Sequence, residues 1–264
     1  MSNFNHPLVT VITVVYNNSK HIRDAIESVL SQDYSRIEYI VIDGGSTDGT
    51  IDIIEEYDDK ISVFLSEPDE GIFDALNKGI VRAHGDFIGI LHSDDLFCDK
   101  YVISDVINKM IDTETELCFS DLVIVDKESG KLVRYYMAHY FRRWMLRIGW
   151  LPPHPTVFLK RSIFDEFGLY SKNYQIAGDF EFFVRIFYGR EIKWTYLNRI
   201  SVMMRRGGAS NSGLSSLKLA ISEINRSLRS NHVWSNPIFQ VGRYFIRLLE
   251  LIARPRKKAC NPLN

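Results

Sequence analysis

Strand-like and helix-like segments alternate through residues 8–91, and that alternation constrains this chain more than any other feature. Leu8–Val15 is β-branched almost throughout and reads as a strand buried on both faces. Residues 19–32 follow with Ile22, Ala25, Ile26, Val29 and Leu30 at helical spacing. Ile37–Ile42 reads as a second strand, residues 50–57 as a short helix, Ile61–Ser66 as a third strand, Gly71–Ala83 as a helix and residues 86–91 as a fourth strand. Strands and helices of these lengths form a mostly parallel sheet flanked by helices, with ligands at the carboxyl ends of the strands.

The fourth strand ends in the acidic pair Asp94-Asp95, where such a sheet binds its ligand. Two adjacent carboxylates repel and need a cation, a donor group or solvent to stay ionised. A divalent metal carrying a diphosphate meets that need; a solvated turn with an Asp as helix cap is the plainer alternative. Other phosphate devices are missing. The first strand runs into Tyr16-Asn17-Asn18-Ser19, which has no glycine, so a dinucleotide fingerprint is absent. The phosphate loop and the nucleophile elbow are also absent.

Charge separates the chain into two parts. Residues 1–130 hold 9 Lys and Arg against 26 Asp and Glu, a difference of −17, while residues 131–264 hold 23 against 7, a difference of +16. An acidic half suits a metal–nucleotide site, and a basic half suits an anionic lipid or membrane surface, or simply packing of the halves on each other. Cys98, Cys118 and Cys260 form neither a zinc pattern nor a disulfide framework, so a reducing cytoplasm is expected. The sequence shows no signal peptide and no apolar run long enough to span a bilayer.

The motifs in combination resemble the bacterial family-2 glycosyltransferases. Those motifs are a strand followed by Asp43-Gly44-Gly45-Ser46-Thr47-Asp48-Gly49-Thr50, then Ser66–Ile80 with Asp69-Glu70-Gly71, then Leu91-His92-Ser93-Asp94-Asp95. The resemblance covers about residues 7–210 and is closest to members that build capsule, colanic acid, O-antigen and related exopolysaccharides. It implies an α/β fold of the GT-A type with a C-terminal helical extension. It also implies inversion at the anomeric carbon, a UDP- or GDP-sugar donor, and Mg²⁺ or Mn²⁺. The division expected is a GT-A domain over residues 1–212, with a nucleotide-sugar half at 7–100 and an acceptor half at 101–212, then a basic helical extension over 213–264.

Roles follow residue by residue from that resemblance. Asp43 falls where the family hydrogen-bonds the nucleotide base, unless it only forms the turn beside Gly44 and Gly45. Thr13, Tyr16 and Asn17 would line the base pocket. Asp69 and Lys78 lie in the segment that closes over the nucleotide, although Lys78 fits a solvated face equally well. For the metal, Asp94 and Asp95 must serve without a leading carboxylate, because His92 occupies the first position of the loose D-x-D motif. Asp94 would contact ribose or metal, and Asp95 the metal.

Downstream, Asp179 in Ile176–Arg185 aligns with the base that deprotonates the acceptor hydroxyl, with Gly178 where the family often has an acid. Its plainer reading is a helix cap. Glu181 is a weaker candidate, pointing elsewhere on a helix. His154, among prolines, could contact diphosphate or acceptor, or be structural. Arg205, in Arg205–Ser210, resembles a loop near the leaving diphosphate.

The basic half points to the acceptor. Residues 134–150 interleave aromatics with Arg134, Arg142, Arg143 and Arg147, and residues 239–252 read as an amphipathic helix followed by Arg254, Arg256, Lys257 and Lys258. No RNA-binding pattern is present, so a polyprenyl-diphosphate-linked saccharide and peripheral contact with the inner membrane face are expected, with a homo-oligomer left open. A sugar nucleotidyltransferase would need a glycine-rich signature after the first strand. A non-catalytic nucleotide-sugar-binding protein is the other alternative.

Overall fold

A computed structural model describes residues 6–207 and 214–236, together with Gly242, Glu250 and Cys260. Four parallel strands form the first block: β1 (Val9–Val15), β2 (Ile37–Asp43), β3 (Val63–Ser66) and β4 (Phe87–Ile90), in the order β3-β2-β1-β4. Their register places Val15 beside Asp43, and Asp43 beside Ser66, so the loops after β1, β2 and β3 converge at one edge. Leu91 continues β4 along β1 by donating its N–H to Ile12 O at 3.0 Å.

The remaining strands extend the sheet with mixed polarity. β5 (Asp95–Phe97) pairs antiparallel with β9 (Trp194–Arg205), and β9 runs parallel to β6 (Leu117–Val125). β7 (Leu132–Tyr136) and β8 (Phe158–Lys160) each pair antiparallel with β6, and β8 joins the second block to β4. Because the partner of β5 is more than a hundred residues downstream, the acidic pair is seated by the second block of strands.

Alternation along β1 feeds two cores. Ile12 and Val14 pack with α3 (Ile72–Arg82) and α6 (Gly178–Gly189); Val9, Val11 and Val15 pack with α1 (Ile22–Leu30) and α4 (Val102–Asp112). α6 carries Phe180, Phe182, Phe183 and Phe187 into the first core, each fully buried and each contributing roughly 1.5–3 kcal/mol relative to exposure. Gly178 starts that helix for a steric reason: a Cβ there would meet the Phe73 ring at 2.6 Å.

The segment 134–150 divides its residues between core and surface. Phe141, Met145, Leu146 and Trp150 are buried, whereas Tyr140, Arg142, Arg143, Trp144 and Arg147 are exposed. Asp121 anchors the segment, its carboxylate accepting from Tyr196 Oη at 2.9 Å and Ala138 N at 2.8 Å. One expectation fails here: Cys98 and Cys260 form a disulfide across 162 residues. Sequence spacing carries no sign of it, because the pairing depends on the fold bringing the two Cα atoms within 4.7 Å. Of the helix expected over 239–252, Gly242 and Glu250 are described, both in helical conformation; its other residues and the basic tail 254–258 lie outside the described residues.

Candidate active site

The loop after β2 is built around Asp43, which is fully buried. Its Oδ2 accepts Gly45 N and Ser46 N, each at 2.9 Å, and Ser66 Oγ at 2.7 Å; its Oδ1 accepts Ser46 Oγ at 2.5 Å. With four donors and no exposure, Asp43 holds the loop. Thr13 is likewise fully buried and accepts from Tyr39 Oη at 3.1 Å, so it lines the core and not the cleft. Asn17 is a brace: its N–H donates to Ser46 Oγ at 2.8 Å and its Oδ1 accepts Thr47 N at 2.8 Å. It does so at φ 47°, a backbone that Asn tolerates.

Two expected residues do face the cleft. Tyr16 is 64% exposed, and Asp69 lies across Gly44 from it. A Cβ on Gly44 would come within 2.5 Å of Asp69 Oδ2 and 3.3 Å of the Tyr16 ring. A phenol and a carboxylate thus converge on a bare stretch of backbone. Lys78 is committed elsewhere, bridging Glu67 at 2.9 Å and Pro68 O at 2.9 Å, which fixes the turn that carries Asp69.

The turn after β4 contrasts with the Asp43 loop. Asp95 N donates to His92 O at 3.0 Å, and the carboxylate turns inward at 1% exposure, yet neither of its oxygens has a hydrogen-bond partner. Burial, then the neighbouring Asp94 charge, pushes its carboxyl well above the usual range, opposed by Arg205. Arg205, at the end of β9, binds Asp24 through Nη2 at 2.5 Å and keeps Nη1 buried without a partner. An unsatisfied carboxylate and an unsatisfied guanidinium N–H are thus both buried at this turn, each at a cost in free energy. Asn18 supports the turn from β1, donating to Ser93 Oγ at 2.8 Å.

His92, His154 and the buried Tyr170 lie between this turn and α6. The His92 and His154 rings lie 5.9 Å apart, and His154 Nε2 hydrogen-bonds Tyr170 Oη at 2.8 Å. Burial, and secondarily His92, lowers His154 to about 3, so it is a neutral bridge. That geometry makes it a holder of Tyr170. Asn77 fixes the same tyrosine from α3, donating to Tyr170 O at 2.8 Å and accepting Tyr170 N at 2.9 Å. Tyr170 and Asp179 then share one electrostatic environment. Burial raises the Asp179 carboxyl to about 6, which gives it the proton affinity of a general base near neutral pH. Glu181 is not on this path: it is buried and clasps Arg185 at 3.0 Å through both Nε and Nη2.

Sequence reasoning missed Tyr170 and Asn18, which act through contacts made by tertiary packing and have no local signature; it read Gly44 only as a turn former.

A parallel block of strands joined to a mixed block, with acids at the carboxyl ends of the parallel strands, is the architecture of the GT-A fold. Solved structures share the fold: Staphylococcus aureus TarS with UDP-GlcNAc superposes with a TM-score of 0.67 over 84% of this chain and 66% of that one, at 17% identity. The Pyrobaculum calidifontis mannosyltransferase in complex with GDP-Man and Mn²⁺ gives 0.63 over 93% and 70%, also at 17% identity. The chain belongs to glycosyltransferase family 2, whose model matches residues 10–176. It is 31% identical over 185 residues to an uncharacterized glycosyltransferase of Mycobacterium tuberculosis, covering 68% of each. It is also 44% identical over 92 residues to the putative teichuronic acid biosynthesis glycosyltransferase TuaG of Bacillus subtilis, covering 34% of this chain and 36% of that one.

Proposed function

We propose that this protein transfers a sugar, with inversion, from a UDP- or GDP-sugar to a saccharide acceptor on a lipid carrier, in cell-surface polysaccharide synthesis. The observation that carries the reading is Asp95, a buried carboxylate without a partner, beside Asp94 and Arg205. Among the described residues no three His, Cys, Asp or Glu are grouped to hold a metal alone. Two carboxylates still fit Mg²⁺ or Mn²⁺ if the donor's diphosphate completes the shell. Asp94 and Asp95 would hold the ion, which when bound offsets charge on the departing diphosphate.

The chain's own residues supply the rest. Tyr16 and Asp69 flank the nucleoside, and Arg205 Nη1 donates toward the diphosphate. Asp179 takes the proton of the acceptor hydroxyl as that oxygen attacks the anomeric carbon and the bond to the diphosphate breaks. One base on the face opposite the leaving group gives inversion. The exposed Arg142, Arg143, Trp144 and Arg147 support an approach to an anionic lipid surface. No helix among the described residues is long and apolar enough to cross a membrane.

The test is nucleoside diphosphate release from a panel of UDP- and GDP-sugars, with and without Mn²⁺. Release that needs Mn²⁺ and disappears in Asp95→Ala is expected. Metal-independent release, unchanged by that substitution, overturns the reading.

A further inference from the structure

The loop that carries Asp179 is held from outside the catalytic sheet. α7 (Leu214–Ser230) lies against α6, and its Glu223 is buried to 3% exposure. Glu223 Oε1 accepts the N–H of Gln175 at 2.8 Å. Its Oε2 accepts those of Ile176 at 2.9 Å and Ala177 at 2.8 Å. These are the three residues that lead into α6, and Ala177 is its N-cap without a side-chain cap of its own. A carboxylate from another helix thus gathers the three backbone donors that run into α6, where negative charge also suits the dipole.

Two further contacts align α7 with the same loop. Arg226 Nη2 donates to Asn173 O at 2.7 Å while its guanidinium lies 4.3 Å over the Tyr174 ring. It also stands 3.7 Å from Glu223, on the solvent side. Asn231, just past the helix, reaches Glu181 Oε1 at 3.5 Å. A helix merely packed on the domain would need apolar contacts. This one places a buried carboxylate on three consecutive backbone donors, immediately before the base.

We infer that Glu223 is a positioning residue for Asp179, so that the helix beyond residue 213 is part of the catalytic unit and not an appendage to it. The inference rests on Asp179 being the base. It gives the 214–230 segment a task that the family match, ending at Ile176, does not cover. Asp179 is the second residue of α6, and rotation or fraying of that first turn would move its carboxylate off line. The ionisable groups around Asp179 are Glu223 from α7 and Tyr170 from the loop after α5 (Ser162–Phe167), with Arg226 and Arg185 behind them. Glu223 adds to the upward push on Asp179, after burial.

The experiment compares wild type, Glu223→Gln, Glu223→Asp and Asp179→Asn in Mn²⁺-dependent nucleoside diphosphate release across a pH series. Thermal stabilisation by UDP or GDP with Mn²⁺ reports the donor half. Glu223→Gln keeps the shape but presents an amide NH₂ to a backbone N–H. It should lower kcat about tenfold with the donor KM within about twofold, since a misplaced base costs rate more than binding. Its acid limb should move to lower pH by about half a unit, because a like charge has gone. Glu223→Asp keeps the charge and loses reach, so kcat should fall while the acid limb stays. A Gln variant with wild-type kcat and pH profile, whatever its melting temperature, overturns the inference. If Glu223→Gln does not fold, Glu223→Asp decides: wild-type kcat overturns the inference, and a lowered kcat with an unmoved limb supports it. If instead Asp179→Asn retains full activity, the base assignment itself fails, and the two failures are told apart.

Discussion

The loop after β2 and the turn after β4 each bury one aspartate, and they treat it in opposite ways. Asp43 is fully buried and receives four hydrogen bonds from Gly45, Ser46 and Ser66. Asp95 is 1% exposed and receives none. Burying a carboxylate is costly unless donors replace water, so the first loop is satisfied by the protein alone, while the second is the one that the proposed metal and diphosphate would complete. Equal burial therefore carries a structural role in one place and a proposed binding role in the other. The discriminating quantity is the count of partners, and the sequence shows in both only an Asp shortly after an apolar run.

Substitution at the two positions should separate them. Asp95→Asn should abolish the Mn²⁺-dependent thermal shift with UDP or GDP and slow donor cleavage about ten-thousandfold, since several kcal/mol of charge stabilisation would go. Its unliganded stability should hold or rise, because an unpartnered buried charge is removed. Asp43→Asn should do the reverse, lowering stability by about 1–3 kcal/mol through lost donors while the Mn²⁺ response persists. A normal Mn²⁺ response in Asp95→Asn, or a lost one in fully folded Asp43→Asn, would break the contrast.

The other rim of the cleft sharpens it. Asp179→Asn should cost about a thousandfold in turnover, within the usual range for a general base, and leave nucleotide binding intact by calorimetry. The pH profile adds a sign. Asp179 is raised to about 6, so it is protonated and inactive as a base below that value. Turnover should rise through about pH 6 and fall roughly tenfold per unit on the acid side. For stability the same shift works the other way: the neutral form is favoured by burial, so its contribution is present at low pH and lost as pH rises through about 6. A flat profile between about pH 5 and about pH 8 would remove Asp179 from the proton transfer.

The smallest effect is expected at Gly178. Its Cβ would meet Phe73 at 2.6 Å, so Gly178→Ala should cost about 1–3 kcal/mol by denaturant melts, with a modest loss of turnover as α6 is pushed off α3. An unaltered midpoint would mean that the ring moves aside freely.

Much of the donor half was legible because its signals are local. The parallel strands fall close to the segments that the β-branched runs of Leu8–Val15 and Ile37–Ile42 mark out. The helix read over 19–32 contracts to Ile22–Leu30, because Asn17 and Asn18 spend their hydrogen bonds on the neighbouring loops at Ser46 and Thr50. The acceptor half was harder. β5 and β9 pair across more than a hundred residues, and no periodicity announces that Asp95 will sit opposite Met204. Thr13 was misread for a related reason: it alternates correctly along its strand, but only packing against Tyr39 decides that its hydroxyl faces a core.

By itself, then, the sequence determined the alternation that makes the parallel block, the acids at its carboxyl ends and the family to which the chain belongs. Those properties are written in spacing, and spacing survives without a partner. The tertiary structure alone decided which buried acid is satisfied, which histidine is held neutral, that Cys98 meets Cys260, and that Glu223 reaches back to the backbone just before Asp179. Each of these depends on what lies within a few ångströms across the fold, where donors, charges and excluded water set the energy of a group.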